Sequence, residues 1–254
     1  MLIYCINVQY FSESTMTSSA VAINPEEVHP ALWRASQLAR NHTRCVDSGH
    51  PSLNLQLPGG GWPSGTMVDL HVQQPGIGEV RLLAPALRAA ADRKIVMLQP
   101  PHAPQTLALA AMGIEPTQLL WLRADRTADM LWAAEQVLRS GSCGALMFWQ
   151  TQIRNESLRR LSLAAQAGET LFFMMRPLAA AQDASPAPLR LALRPRAGGL
   201  DVEFVKRRGP LRAEPLFLPM AVAGAAIIQP QHGNQPALNP MAPAEHRAAT
   251  WVAH

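Results

Sequence analysis

Short apolar runs alternate with amphipathic stretches through the middle of the chain, and that alternation restricts the fold more than any other feature. Lys94–Gln99 (KIVMLQ), Gly144–Trp149 (GALMFW) and Thr170–Met175 (TLFFMM) are continuous apolar runs of strand length. A strand apolar on both faces has to be covered on both faces, as in a parallel sheet with helices above and below. Thr66–Val72 and Leu119–Leu122 read as two further strands. Helices are predicted at Glu79–Asp92, Gln105–Met112, Thr127–Arg139 and Asn155–Ala167. In the third of these, Met130, Leu131, Ala134, Val137 and Leu138 recur at helical spacing. Pro85 is expected to kink the first helix or to delay its start. Leu189–Leu193 and Leu200–Lys206 flank Gly198-Gly199 and predict an antiparallel hairpin that closes the sheet. Repeated strand–helix units argue an α/β fold of three layers with a mostly parallel sheet.

The loop between the first strand and the first helix carries the chemistry. Leu70–Leu83 reads LHVQQPGIGEVRLL: strand, Gly/Pro loop, helix. A phosphate-binding loop has the pattern G-x-x-x-x-G-K-[ST]. With Gly78 as its second glycine, Gln73 replaces the first glycine, Glu79 the lysine and Val80 the hydroxyl residue, while Gly76 lies between. Such loops hold anions through bare backbone N–H groups and a helix N-terminus, with a lysine completing the charge. A carboxylate about 4 Å from a phosphate oxygen would instead repel it by roughly 4 kcal/mol at an effective dielectric of 20. Val80 also removes the ligand for Mg²⁺. Glu79 at a helix N-terminus is itself favourable, so its side chain can fill the anion site. These residues describe a degenerate nucleotide loop.

The ends of the chain differ in character from its middle. The 254 residues are 48% hydrophobic and 16% charged, which suits one globular domain of about 150–200 residues with flexible ends. Residues 1–28 are expected to be a flexible segment, with Met16 an alternative start. Residues 29–50 read as an amphipathic helix (from His29 to Asn41) followed by a linker, and LPGGGWPSG at residues 57–65 as a string of turns. Residues 210–254 are rich in Pro, Ala and Gln and are expected to be a largely disordered tail, either inert or a partner-binding arm through Trp251. No apolar run reaches the roughly 18 residues of a membrane span, and MLIYCINVQYFSES lacks the basic start of a signal peptide. Cys5, Cys45 and Cys143 have neither metal-ligand nor paired spacing, so a reduced cytoplasmic protein is expected. The eight histidines form no metal motif; His102 alone falls near the degenerate loop, where a surface role is the commoner one.

Charge is unevenly placed. Between Gln150 and Arg212 eleven basic residues face five acidic ones, a balance of +6 against +4 for the whole chain. A basic surface of this kind suits nucleic acid, an acidic protein partner, or plain solvation. Lys206, Arg207, Arg208 and Arg212 are the candidate contacts to DNA or a partner.

Several segments carry a family resemblance. LPGGGWPSGTMVDLHVQQPGIGEVRLL resembles the opening of RecA-type ATPase cores. LQPPHAPQTLALAAMGI resembles their second strand and helix, and LLWLRADRTADMLWAAEQVLRSGSCGALMFW the units leading to the Walker B strand. With ALWRASQLA, ASPAPLRLALRPRAGGL and VKRRG added, the stretch from about Leu32 to Gly209 is similar to the ImuA family, RecA-like relatives that overlap the cell-division inhibitor SulA. The resemblance implies a RecA-like core over residues 51–209. It places the water-orienting glutamate at Pro101 and the Walker B aspartate at Trp149. Together with Glu79 and Val80 these departures leave phosphoryl transfer without its acid, base and metal groups. The resemblance therefore implies a pseudo-ATPase with no cofactor, no metal, no small-molecule substrate and no membrane association. Its nucleoid-associated partners would be an ImuB-like protein, a DnaE-type polymerase and, as a further candidate, RecA, with single-stranded DNA also open. Lys206 and Arg208 match a K-x-R pair that in active relatives reaches a neighbouring subunit's nucleotide. Met174–Pro177 (MMRP) keeps a second expectation, a SulA-like inhibitor that binds FtsZ.

Overall fold

A computed structural model describes residues 44–220. The predicted N-terminal helix, the segment before it and the tail that contains Trp251 lie outside the described residues.

The strands are β1 (Cys45–Val46), β2 (Trp62–Pro63), β3 (Met67–Val72), β4 (Lys94–Leu98), β5 (Leu119–Leu122), β6 (Cys143–Trp149), β7 (Leu171–Pro177), β8 (Leu189–Arg196), β9 (Gly199–Lys206) and β10 (Leu216–Pro219). The helices are α1 (Pro51–Asn54), α2 (Glu79–Ala89), α3 (Thr106–Ala111), α4 (Thr127–Ser140) and α5 (Asn155–Ala165). Strands β3 to β10 form one sheet in the order β10-β9-β8-β3-β7-β6-β4-β5. From β8 to β5 every pairing is parallel; β9 runs antiparallel to β8, and β10 antiparallel to β9. The protein is thus α/β with a mixed, mostly parallel sheet.

The succession of strands explains why helices cover both faces. The chain runs from β3 outward to β4 and β5, then back through β6 to β7. Parallel crossovers are right-handed, so reversing direction along the sheet moves the connecting helix to the other face. Accordingly Leu82, Leu83, Ala86 and Leu87 of α2 and Leu109 of α3 share one core with Leu70, Met97, Met147 and Phe173. Met130, Ala134 and Leu138 of α4 and Leu158 and Leu161 of α5 share the other with Val96, Leu146, Phe148 and Phe172. Successive residues of β6 alternate between the cores, which is what a continuous apolar strand is for. Helices α4 and α5 are joined by buried Glu135, which accepts from Arg160 across the pair and from Arg139 at 2.7 Å along its own helix.

Of the two effects expected of Pro85, a kink or a delayed start, the second does not occur: α2 begins at Glu79 with Pro85 inside it. The Pro85 ring packs on Gly49, where a Cβ would stand 2.3 Å from the Pro85 Cβ, so the space beside the helix is made by a glycine. Two other expectations need correction. The hairpin does not close the sheet, because β10 adds a strand outside it and carries the fold past residue 209. Leu216 and Leu218 are buried while Phe217 is half exposed, a period-two pattern on an edge strand. The supposed linker holds strand β1, which pairs with β2 from the turn-rich stretch that follows.

Charges are buried on the α4/α5 face of the sheet, beyond those helices. Asp69 of β3, fully buried, lies 3.4 Å from Arg176 Nη1 of β7 and 3.5 Å from Arg190 Nε of β8. His71 Nε2 is 3.5 Å from the same carboxylate oxygen and 3.3 Å from Arg190 Nη2. Arg190 also donates to the carbonyls of Ala180 and Ala181, and Arg176 to Asp183 at 2.8 Å, which holds the 3-10 turn Leu178–Gln182 on the cluster. Two of the eleven basic residues counted toward a basic surface are therefore interior. Burial pushes the His71 imidazole below its ordinary range; Asp69 opposes this, while Arg190 and Arg176 add to it.

The sign for stability follows. An imidazole kept neutral in the fold takes up a proton only after unfolding, so the unfolded chain binds more protons below its ordinary value of 6.5. Stability from this site is complete above that pH and falls as the pH drops through it. His50 is shifted the same way, mainly by burial. Urea midpoints measured from pH 7.5 to pH 5 are expected to decline, and to decline less steeply in His71→Gln; an unchanged slope would contradict a neutral buried His71.

Candidate functional site

Strand β3 ends at Val72 and the chain turns through Gln73–Gly78 into α2. Gly76 (φ 85°) and Gly78 (φ 119°) adopt the left-handed region, where other residues are strained. This turns their N–H groups toward the start of the helix. The Glu79 side chain, almost wholly buried, folds back over them. Its Oε1 accepts from Gly76 N–H at 2.9 Å and its Oε2 from Gly78 N–H at 3.1 Å. The donors that a phosphate loop offers to an anion are here occupied by a carboxylate of the same chain.

Two cavities open at the carboxyl ends of the parallel strands, next to this loop. In open α/β sheets this is where ligands bind, since neighbouring strands send their connections to opposite faces. The first, of about 370 Å³, lies among Gln73, Gln74, Gln99, Pro101, Arg123, Asp125, Thr127, Trp149, Gln150 and Arg176. The second, of about 450 Å³, lies between the loop and α3, against Gly76, Ile77, Gly78, Glu79, Val80, Arg81, Met97, Pro101, His102, Ala108, Leu109 and Trp149. Trp149 and Pro101 border both.

The positions that the resemblance marks as degenerate thus lie around these two cavities. Gln73 is exposed at the strand exit, Val80 is half buried, and Pro101 is exposed beyond β4. Trp149 ends β6 buried, and its indole N–H has no hydrogen-bond partner. None of these four side chains supplies a carboxylate or hydroxyl; in the first cavity those groups come from Asp125, Thr127 and Thr151. Among the described residues no group of three or more His, Cys, Asp or Glu side chains is placed to hold a metal ion. No helix among them is long and apolar enough to cross a membrane.

The basic candidates lie elsewhere; none borders either cavity. Lys206 donates to the Ser185 carbonyl at 3.5 Å. Arg207 is structural: it donates to the Gln56 carbonyl and the Pro210 carbonyl, each at 2.6 Å, and its guanidinium sits 4.9 Å from the Phe204 ring centre. Arg208 is exposed, and exposed Arg212 donates to the Glu214 carbonyl at 2.8 Å.

Sequence reasoning missed Gln99. Gln99 sits in the left-handed region (φ 55°) just past β4, its buried Oε1 unbonded, at the first cavity. Strain of that kind concentrates at binding sites, but nothing in LQPP announces it.

Fold and loop together define an α/β protein with a glycine loop sealed by its own glutamate. No protein-family profile matches the chain. Over 98 residues it is 31% identical to the cell division inhibitor SulA of Edwardsiella piscicida, a stretch that makes up 38% of this chain and 58% of that protein. The chain therefore spans less than two thirds of that relative's length and is similar to it over that region.

Replacing Glu79 with Ala leaves two loop N–H groups without their charged acceptor. Unfolding in urea is expected to show a loss of about 1–3 kcal/mol. Amide exchange at Gly76 and Gly78 should accelerate; unchanged protection there would contradict the capping role.

Proposed function

We propose that this chain is a non-catalytic, RecA-like accessory protein of DNA-damage-induced translesion synthesis. It acts as an adaptor for a polymerase-like ImuB protein and a DnaE-type polymerase, with RecA as a further partner. The observation that carries this reading is the Glu79 carboxylate bonded to the N–H groups of Gly76 and Gly78. A loop so filled has no room for a phosphate and repels one. The positions that resemblance assigns to the catalytic glutamate and the metal-binding aspartate hold Pro101 and Trp149, which can perform neither task. A strand–glycine loop–helix unit inside a mostly parallel sheet supports descent from a nucleotide-binding core. Kept without its chemistry, such a scaffold serves binding. Similarity to a cell division inhibitor supports a place in the response to damaged DNA, when division is held back.

The same similarity favours a second reading, an inhibitor of division that binds the tubulin homologue FtsZ. The two differ in what they hold. Tagged protein recovered from ultraviolet-treated cells is expected to bring down polymerase components, identified by mass spectrometry. Recovery of division proteins without polymerases, together with unsegmented filaments on overexpression, would overturn the adaptor reading in favour of the second.

A further inference from the structure

The sheet ends at β5 with nothing to guard its edge. Strand β5 pairs with β4 alone, and among the described residues no strand lies outside it. The Leu122 carbonyl accepts from the Gln99 N–H at 2.9 Å, so Leu122 and, two residues back, Leu120 turn their backbone groups toward β4. Alternation then points the N–H and C=O groups of Leu119 and Trp121 to the open edge. The side chains add apolar surface there: Leu120 is 42% and Trp121 47% exposed. A bare edge invites another strand, and proteins guard such edges with proline or charge. The opposite edge is guarded in this way, with Pro215 just before β10 and Pro219 at its end. Leu119–Leu122 (LLWL) contains neither device.

What fits this edge follows from its sequence. Leu120-Trp121-Leu122 reads the same in both directions, so a second copy laid antiparallel sets Trp121 against Trp121 and each Leu120 against the other copy's Leu122. The faces match as well. Leu119 packs on the α2/α3 core and shares its side with Trp121, while Leu120 shares the other side with Leu122, which packs on the α4/α5 core. In this register the two Trp121 residues exchange backbone bonds at the axis, and Leu119 does so with Arg123 of the other copy at each end, about six bonds in all. Charges agree with it too. Before the strand stand exposed Glu115 and exposed Lys94, whose Nζ donates to the Thr117 carbonyl at 2.7 Å. After it stand exposed Asp125 and Arg126. Centring on Trp121 sets Thr117 opposite Asp125 and Pro116 opposite Arg126, so Lys94 comes to an acid and Glu115 to a base. A parallel pairing would bring like to like. We propose that two copies of this chain join through β5, antiparallel, about a twofold axis at Trp121, so that their sheets become one. A foreign strand would have to reproduce both the palindrome and the charges; a second copy already carries them.

Sedimentation velocity of the full chain, over about a hundredfold range of concentration, tests this. A reversible monomer–dimer equilibrium is expected, since a strand of four residues makes a small interface. Hydrogen exchange at the Trp121 amide should slow as the dimer forms. Trp121→Lys and Trp121→Glu each set like charges against one another at the axis and should leave monomers only, with the circular dichroism of the parent. Mixed together, the two variants should pair again, because a residue that meets itself at a twofold axis is rescued by opposite charges. Phe217→Lys, on the other edge of the sheet, should keep the dimer. Monomers at every concentration, a dimer whose Trp121 amide is unprotected, a dimer that survives Trp121→Lys, or a mixture that fails to pair would overturn the assignment. The adaptor reading is untouched by any of these outcomes.

Discussion

A carboxylate buried without water cannot be left alone, and Asp69 is such a group at the centre of the sheet. Its partners come from the strands on either side, Arg176 of β7 and Arg190 of β8. Burying a lone charge is so costly that the three strands can adopt only a register that brings the guanidinium groups to the aspartate. The same arginines reach outward to Ala180, Ala181 and Asp183 and hold the crossover from β7 to β8 against the sheet. Because β3 feeds the glycine loop, the ion cluster also fixes where that loop begins. Arg176 borders the first cavity, so one side chain belongs both to the buried cluster and to the cleft floor.

Most of the sheet was legible because parallel strands covered on both faces have a simple signature. GALMFW and LFFMM can hardly be anything else, and the periodicity of α4 placed its apolar side on the core. Strand β10 was not legible, since four residues bounded by prolines offer only Leu216 and Leu218 as a pattern. The pairing of Asp69 and His71 was not legible in the sequence, because their partners lie 107 and 119 residues further on.

The Gly/Pro loop was legible in the sequence, but its internal bonding was not: that the Glu79 carboxylate returns to the N–H groups of Gly76 and Gly78 is a matter of torsion angles.

Glu79 has a consequence for timing. Nucleotide-driven proteins release their partners by changing the shape of this loop when a phosphate leaves. In this chain the carboxylate bonded to the loop is covalently attached and cannot leave. On the adaptor reading proposed above, release of a partner then has to come from dilution, competition or removal of the protein itself.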